Sequence, residues 1–247
     1  MLGKQLELWT VAQNLVRVVL PNHSLLTGKP EQTESVTLWE TLEFLDAPCC
    51  DACGFPFEFD VGENVLCGRC EGKRPAFDRA RSAIRYTEQS RKLVLDFKHG
   101  GRTDGLEFFA AQMHRAGRDL LHDAHILMPV PLHKKRLRQR KFNQAALLAR
   151  ALSKLSGLPY ETNTILRAKN TPTQGGQSYL GRKRNVSGAF VIPEDKRKLI
   201  GNARIVLIDD VQTTGSTLEA CAKVLKKYGA QQVDSLSLMR VVRPEPV

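Results

Sequence analysis

The sequence lacks a long apolar run and a recognisable export signal. No stretch of about 18 apolar residues occurs, and a membrane-spanning helix needs about that many. The apolar patch near the N-terminus is flanked by Glu7 and Arg17, and no small-residue cleavage site follows it. We interpret this patch as an amphipathic helix and not as a signal peptide. Both absences predict a cytoplasmic protein whose cysteines stay reduced.

Aromatic and acidic residues are also scarce. Aromatic residues make up 6% of the chain, which disfavours a long platform on which the bases of a single strand could stack. Acidic residues number 26 against 37 Lys and Arg, so the formal net charge is +11. Three interpretations of this excess stay open: a nucleic-acid surface, a site for a polyanionic small molecule, or a solvated basic surface without a partner.

The pattern of residues predicts three parts. Residues 1–47 hold three basic and six acidic residues, and we expect one or two helices there. Residues 48–75 are rich in turns and hold five of the six cysteines. From residue 76 to 247, apolar strands alternate with amphipathic helices, which predicts an α/β domain with a mostly parallel sheet flanked by helices. The predicted strands are "HILMPVPL", "ARIVLID" and "QVDSLSLMRVV", and the predicted helices are "EQSRKLVLDFKHG", "GLEFFAAQMHRAGRDLL", "NQAALLARALSKL" and "STLEACAKVLKKYG".

Four cysteines form two CxxC pairs with thirteen residues between them: Cys50, Cys53, Cys67 and Cys70. Two such turns supply the four thiolates of a tetrahedral zinc site, and a site with four protein ligands is structural because no position remains for water. Gly54 and Gly68 stand where the backbone of each turn must fold back tightly. The alternatives are two disulfides or free core thiols. Cys49 is a spare thiol in this interpretation, and Cys221 is expected in the core.

The stretch "VLIDDVQTTGSTL" carries the main functional signal. Its apolar start predicts a buried strand, and Asp209 and Asp210 come at the end of that strand. Ligands bind at the carboxyl ends of strands in open α/β sheets, and a following helix N-terminus suits a phosphate. We therefore predict that the two aspartates bind a cis-diol and that the loop binds a phosphate through Thr213, Thr214, Gly215, Ser216 and Thr217.

Two other interpretations of this stretch stay open. One is an ordinary turn in which Ser216 or Thr217 caps the helix. The other is the acidic motif of a nucleotide hydrolase, which the absence of GxxxxGK[ST] from the chain disfavours.

The same stretch resembles the motif with which type I phosphoribosyltransferases bind phosphoribosyl pyrophosphate (PRPP). Three further stretches, "LVLDFKHGGRTD", "PVPLHKKRLRQRKFNQAALLARAL" and "TPTQGGQSYLGRKRNVSGAF", together with the four-cysteine module, are similar to the ComF family of competence-related proteins. The resemblance covers roughly residues 45–242. It implies a type I phosphoribosyltransferase fold with a small N-terminal zinc module.

The resemblance also implies roles for individual residues. Asp209 and Asp210 would bind the ribose of PRPP as the catalytic pair, together with Mg²⁺. The basic segment after the strand "ILMPVP", around His133, Lys134 and Lys135, would contact pyrophosphate as a loop. The segment from Thr171 to Asn185 would form a loop that closes over the site.

Two classes of function are compatible with these features. The first is a phosphoribosyltransferase that displaces pyrophosphate from PRPP, with an acceptor that no residue pattern identifies. The second is a non-enzymatic sensor of PRPP or a nucleotide that also binds single-stranded DNA. The family resemblance implies a link to DNA uptake in natural transformation, alongside a DNA-uptake translocase.

Overall fold

A parallel four-stranded sheet forms the centre of the protein. The computed structural model describes residues 42–91, 105–168 and 188–242. The strands are β1 (Ala80–Arg85), β2 (Ile126–Pro129), β3 (Leu166–Arg167), β4 (Phe190–Val191), β5 (Arg204–Gln212) and β6 (Gln232–Arg240). The central sheet has the order β1-β6-β5-β2, whereas β3 and β4 form a separate antiparallel pair. The predicted parallel sheet is confirmed.

Helices cover both faces of this sheet. They are α1 (Gly68–Gly72), α2 (Leu106–Ala116), α3 (Arg118–His122), α4 (Lys134–Arg140), α5 (Gln144–Ser156) and α6 (Ser216–Lys227), and a 3₁₀-helix spans Glu194–Leu199. The core on one face joins α2, α3 and α5 to the sheet. The core on the other face joins α6 and the cysteine segment to the sheet. Helices on both faces bury the strands on both sides, which is the usual environment of a parallel sheet.

The amphipathic patterns of α5 and α6 place the core faces as predicted. The apolar positions of the two helices are buried: Ala145, Leu148, Ala149, Leu152, Leu218, Cys221, Ala222 and Leu225. Gly157 follows α5 with a φ of 74°, and Gly229 follows α6 with a φ of 87°. Both glycines follow their helices in a left-handed conformation, which is common at helix C-termini.

The helix predicted from "GLEFFAAQMHRAGRDLL" is two helices. Gly117 separates α2 from α3. A Cβ atom at Gly117 would lie 2.5 Å from a methyl carbon of Leu236 on β6. The glycine therefore allows the chain to approach the sheet closely at the break between these helices.

The start of the described chain runs along the sheet edge. Leu45 donates a backbone hydrogen bond of 2.9 Å to Ala83, and Arg85 donates one of 2.7 Å to Glu43. Residues 42–45 are therefore extended beside β1, whereas a helix was expected for this part of the chain. Residues 1–41 of the predicted N-terminal helical segment lie outside the described residues. So do residues 92–100 of the helix predicted from Glu88 to Gly100.

Within the described ranges, no helix combines the length and the apolar character that crossing a membrane requires.

Candidate functional site

The four predicted cysteines converge on one point. The sulfur atoms of Cys50, Cys53, Cys67 and Cys70 all lie within 4.8 Å of one another, and all four residues are buried. The sulfurs of Cys53 and Cys67 are 3.7 Å apart. A tetrahedral ion with four sulfurs at about 2.3 Å places them about 3.8 Å apart, so the donor set and its spacing fit such a metal.

Hydrogen bonds and burial shift the pKa values of the thiols in this cluster. The Cys50 sulfur accepts hydrogen bonds from the backbone N–H of Cys67 at 3.3 Å and of Cys53 at 3.5 Å. Hydrogen bonds from the Cys53 and Cys70 thiols add to these and hold the pKa of the Cys50 thiol far below its usual range. Burial, followed by the negative charge of Cys53, raises the pKa of the Cys67 thiol to about 12. A bound cation would allow all four thiols to lose their protons.

Cys49 and Cys221 stand apart from the cluster. Cys49 is half-buried, and burial raises the pKa of its thiol. Cys221 is fully buried on α6, and desolvation raises the pKa of its thiol as well. The choice of Cys50 over Cys49 as the cluster member is confirmed, and so is the core position of Cys221.

The acidic pair lies within β5, close to its carboxyl end. Asp209 and Asp210 are half-buried, and β5 continues beyond them to Gln212. An Asp209 carboxylate oxygen accepts from the backbone N–H of Asp210 at 2.9 Å, and an Asp210 oxygen accepts from Val211 at 2.7 Å. These local bonds orient both carboxylates at the sheet edge where ligands of α/β folds bind.

The hydroxyl-rich loop leads directly from β5 into α6. Gly215 is the N-cap of α6 with a φ of 74°. A Cβ at this position would meet no atom closer than 3.7 Å, so the left-handed backbone and not lack of space calls for glycine. The hydroxyls of Thr214 and Ser216 are 2.8 Å apart. The first N–H groups of α6 therefore stand beside a row of hydroxyl donors, which suits an anion.

The basic segment after β2 is a helix, whereas a loop was expected. His133 is the N-cap of α4, and its Nδ1 accepts from the backbone N–H of Lys135 at 3.2 Å. Lys134 and Lys135 are exposed in the first turn of that helix. Because β2 pairs in parallel with β5 and Val130 donates to the Ile208 carbonyl at 2.8 Å, α4 follows the same sheet edge that carries the aspartates.

Arg167 is a candidate that sequence reasoning missed. Its residue is 8% exposed, and its guanidinium carbon lies 5.5 Å from the centre of the Phe190 ring. Burial lowers the pKa of this guanidinium, the charge of Arg136 lowers it further, and the charge of Asp209 opposes both. Arg167 is thus a buried cation whose pKa responds to charges of both the basic helix and the acidic pair. One arginine in "TILRAKN" carries no local signal of such a position.

Two arginines tie the cysteine module to the α/β domain, one through the hydroxyl-rich loop and one through β6. Arg69, in α1, donates to the backbone carbonyl of Thr214 at 3.1 Å. Arg240, at the end of β6, donates to the Cys53 carbonyl and also to the Cys53 sulfur, the latter at 3.5 Å. The module and the loop are therefore neighbours in space although about 145 residues separate them in the chain.

The segment from Thr171 to Asn185 lies outside the described residues. Its flanks are described: β3 and β4 pair on either side of it, and the Ala168 N–H donates to the Ala189 carbonyl at 2.8 Å. The chain therefore leaves and returns at one place, beside Arg167.

Comparison with known proteins agrees with this architecture. The family model described as "Phosphoribosyl transferase domain" matches residues 145–245. Competence protein F of Haemophilus influenzae is 31% identical over 198 residues, covering 78% of this chain and 85% of that protein. The chain belongs to the ComF family of competence proteins. The predicted family and its phosphoribosyltransferase-type α/β fold are thereby confirmed.

A second ComF relative matches the same share of this chain. DNA utilization protein YhgH of Salmonella typhimurium is 31% identical over 198 residues, covering 78% of this chain and 84% of that protein. Among solved structures, a hypoxanthine phosphoribosyltransferase from Staphylococcus aureus is 16% identical with a TM-score of 0.35, covering 55% of this chain and 62% of that one.

Proposed function

We propose that this ComF protein binds PRPP with Mg²⁺ at the carboxyl edge of its sheet. The observation that carries the proposal is the continuous path from the half-buried Asp209 and Asp210 through the left-handed Gly215 into the N-terminus of α6. Carboxylates there accept hydrogen bonds from ribose hydroxyls, and the loop with its helix terminus receives the 5′-phosphate. The phosphoribosyl transferase match over residues 145–245 supports the same ligand.

The basic helix is assigned to the pyrophosphate group. His133, Lys134 and Lys135 begin α4 at the same sheet edge as the aspartates, and no acidic residue occurs in that helix. Arg167 is buried, its pKa responds to the charges of Arg136 and Asp209, and we assign its positive charge to the same side of the site. Cations placed here favour the negative charge of the diphosphate.

The reaction we propose is transfer of the phosphoribosyl group to an acceptor. The bond between the anomeric carbon and pyrophosphate breaks, the acceptor atom bonds to that carbon, and positive charge develops on the ribose. Asp209 and Asp210 hold the hydroxyls of the ribose, and Lys134 and Lys135 stabilise the charge of the leaving group. Mg²⁺ bound with the diphosphate would supply further charge neutralisation.

The cysteine cluster is assigned to one structural zinc ion. Four thiolates complete a tetrahedral shell, so the ion would crosslink the module and would not take part in the transfer. Metal analysis after dialysis is expected to find one zinc per chain, and less than about half an equivalent would contradict the assignment. A cytoplasmic location belongs to the same proposal, because the thiols must stay reduced to hold the ion.

Calorimetric titration of PRPP with Mg²⁺ tests the ribose site. We expect Asp209→Asn/Asp210→Asn to abolish binding while the fold and the zinc content stay unchanged. The matched control is Glu194→Gln/Asp195→Asn, which removes the same charge from exposed positions on the 3₁₀-helix before β5. Unchanged PRPP affinity in the Asp209/Asp210 variant would show that the ribose site is wrongly assigned.

A second candidate function is a PRPP or nucleotide sensor that binds single-stranded DNA during uptake. Its specific support is α4, a seven-residue helix with five Lys or Arg, no acidic residue and no buried residue. The names of the two relatives, a competence protein and a DNA utilization protein, point to the same process. Affinity for a single strand should then fall steeply with salt, with a slope of about −0.7 per phosphate contact. A salt-insensitive affinity would exclude this function.

A further inference from the structure

A cleft separates the cysteine module from the proposed phosphate loop. Its volume is about 230 Å³. On one side it is lined by β5 and the loop, from Gln212 to Gly215. On the other side it is lined by the end of the module, through Arg69, Cys70, Lys73, Arg74 and Pro75. The cleft therefore begins on the flank of the loop to which the 5′-phosphate is assigned.

The charge in this cleft is unbalanced. Arg69, Lys73 and Arg74 line its module side, and all three are exposed. Glu219 is the acidic residue of the lining, and it already pairs with Lys223 at 2.8 Å. None of the ion pairs found within residues 42–91, 105–168 and 188–242 involves Lys73 or Arg74. Within these ranges, Lys73 and Arg74 therefore line the cleft without an ion-pair partner.

Arg240 adds a buried cation to the wall of the cleft. Its residue is 7% exposed, and its Nε has no hydrogen-bond partner among the described residues, although its terminal nitrogens bond to Cys53. A buried donor without a partner is costly and is usually matched by a ligand or by water. Because the terminal nitrogens of Arg240 already bond to Cys53, Lys73 and Arg74 at the mouth of the cleft are the cations we assign to an anion.

We propose that this cleft is a subsite for a second phosphate group beyond the 5′-phosphate of the bound ribose. The proposal rests on the proposed function, since the loop from Thr213 to Thr217 must hold the first phosphate. Lys73 and Arg74 meet the second phosphate, and Arg69 holds the edge of the cleft by its bond to Thr214. The ligand class is a ribose whose 5′-phosphate is extended by another phosphate-bearing group.

Two sources share this chemistry. A nucleoside diphosphate carries the second phosphate directly on the first. A nucleic-acid strand carries it on the next nucleotide, through a phosphodiester. The loop and the cleft would hold the two phosphates in the same order in both ligands.

Paired probes test the subsite. Calorimetric affinities are measured without Mg²⁺ for AMP against ADP and for the dinucleotide UpU against its 5′-phosphorylated form pUpU. The wild-type protein is expected to prefer the probe with the extra phosphate by about three- to tenfold, as for two partly exposed charge-assisted contacts. Lys73→Ala/Arg74→Ala should reduce this preference to less than twofold.

The control variant is Arg150→Ala/Lys154→Ala. It removes one arginine and one lysine from exposed positions on α5, on the opposite face of the sheet, and should keep the wild-type preference. A preference for ADP alone would identify diphosphates as the source, and one for pUpU alone would identify a strand; either supports the subsite. Equal affinities within both pairs in the wild-type protein would overturn it, and so would an equal loss in the control variant.

PRPP separates this proposal from the one on which it rests. With Mg²⁺, PRPP should bind Lys73→Ala/Arg74→Ala within about twofold of wild type, because its diphosphate belongs to α4 and not to the cleft. PRPP binding without any preference for the extra phosphate, in either the AMP/ADP pair or the UpU/pUpU pair, would show that the second subsite alone is wrong. If the wild-type protein binds neither PRPP nor AMP, both proposals are wrong.

Discussion

At the scale of the residue, glycine positions decide how closely parts of the chain can approach. Gly54 follows the first CxxC pair with a φ of 69°, and a Cβ there would lie 2.3 Å from the Ala80 carbonyl oxygen. Gly54 also donates to the Cys50 carbonyl at 2.8 Å, which closes the turn that presents the sulfurs. Gly54 therefore allows both the tight turn of the first CxxC pair and the close contact between the cysteine module and β1.

Gly54→Ala should destabilise the protein strongly. The left-handed backbone and the clash with a backbone oxygen together should lower the free energy of unfolding by about 2–4 kcal/mol. Urea unfolding of the zinc-loaded protein measures this change. Gly62→Ala is the control: its φ is 85°, but a Cβ there meets nothing within 4 Å. The control should lose only about 1 kcal/mol, and equal losses would contradict the close contact.

At the scale of the element, Asn143 connects the N-terminus of α5 to the end of β2. Its Oδ1 accepts from the Ala145 N–H at 3.2 Å and so caps α5. Its Nδ2 donates to the Val130 carbonyl, just beyond β2, at 3.0 Å. One side chain thus fixes the turn between α4 and α5 against the sheet.

Asn143→Ala should lower the free energy of unfolding by about 1–3 kcal/mol, because it removes a helix cap and leaves a carbonyl without its donor. Asn143→Ser separates the two contributions. It keeps an acceptor at the helix N-terminus but loses the donor to Val130, so its loss should be smaller than that of the alanine variant. Thermal or urea unfolding measures both, and a larger loss in Asn143→Ser would contradict the capping role.

At the scale of the whole molecule, the cysteine module and the α/β domain share one core. Cys50, Cys53, Cys67 and Cys70 pack in the same apolar cluster as Leu207 on β5 and Leu218 on α6. The predicted boundary at residue 75 therefore separates two patterns of sequence, whereas the packing continues across it. Metal binding at the cluster should consequently stabilise the sheet as well.

Removal of zinc by a chelator should lower the melting temperature of the whole protein in a single transition. It should also weaken PRPP binding, since Arg69, between Cys67 and Cys70, donates to Thr214 in the proposed phosphate loop. Calorimetry before and after zinc is restored measures both effects. Cys49→Ala, outside the cluster, should leave the zinc content and PRPP affinity unchanged. Two separate transitions, with that of the α/β domain unaffected by zinc, would contradict a shared core.

Local sequence patterns made the buried helix face of α6 and the cysteine cluster predictable. The spacing of Leu218, Cys221, Ala222 and Leu225 predicts the buried face of α6, and the two CxxC pairs predict the cluster, because each pattern is contained in a short segment. By contrast, β1 was not predicted: "ARSAIR" mixes arginines with small residues and becomes a strand by pairing with β6. Tertiary pairing overrides such weak local preference.

By itself, the sequence determined β2, α5, β5, α6 and β6 in their order, the four clustered cysteines and the acidic pair with its loop, because periodicity, caps and ligand spacing act over a few residues. Only the tertiary structure decided that Arg69 donates to the Thr214 carbonyl and that a basic cleft lies beside the loop. Arg69 and Thr214 are 145 positions apart in the chain. Side chains so distant meet only when the packing of the sheet and its two helical faces brings them together.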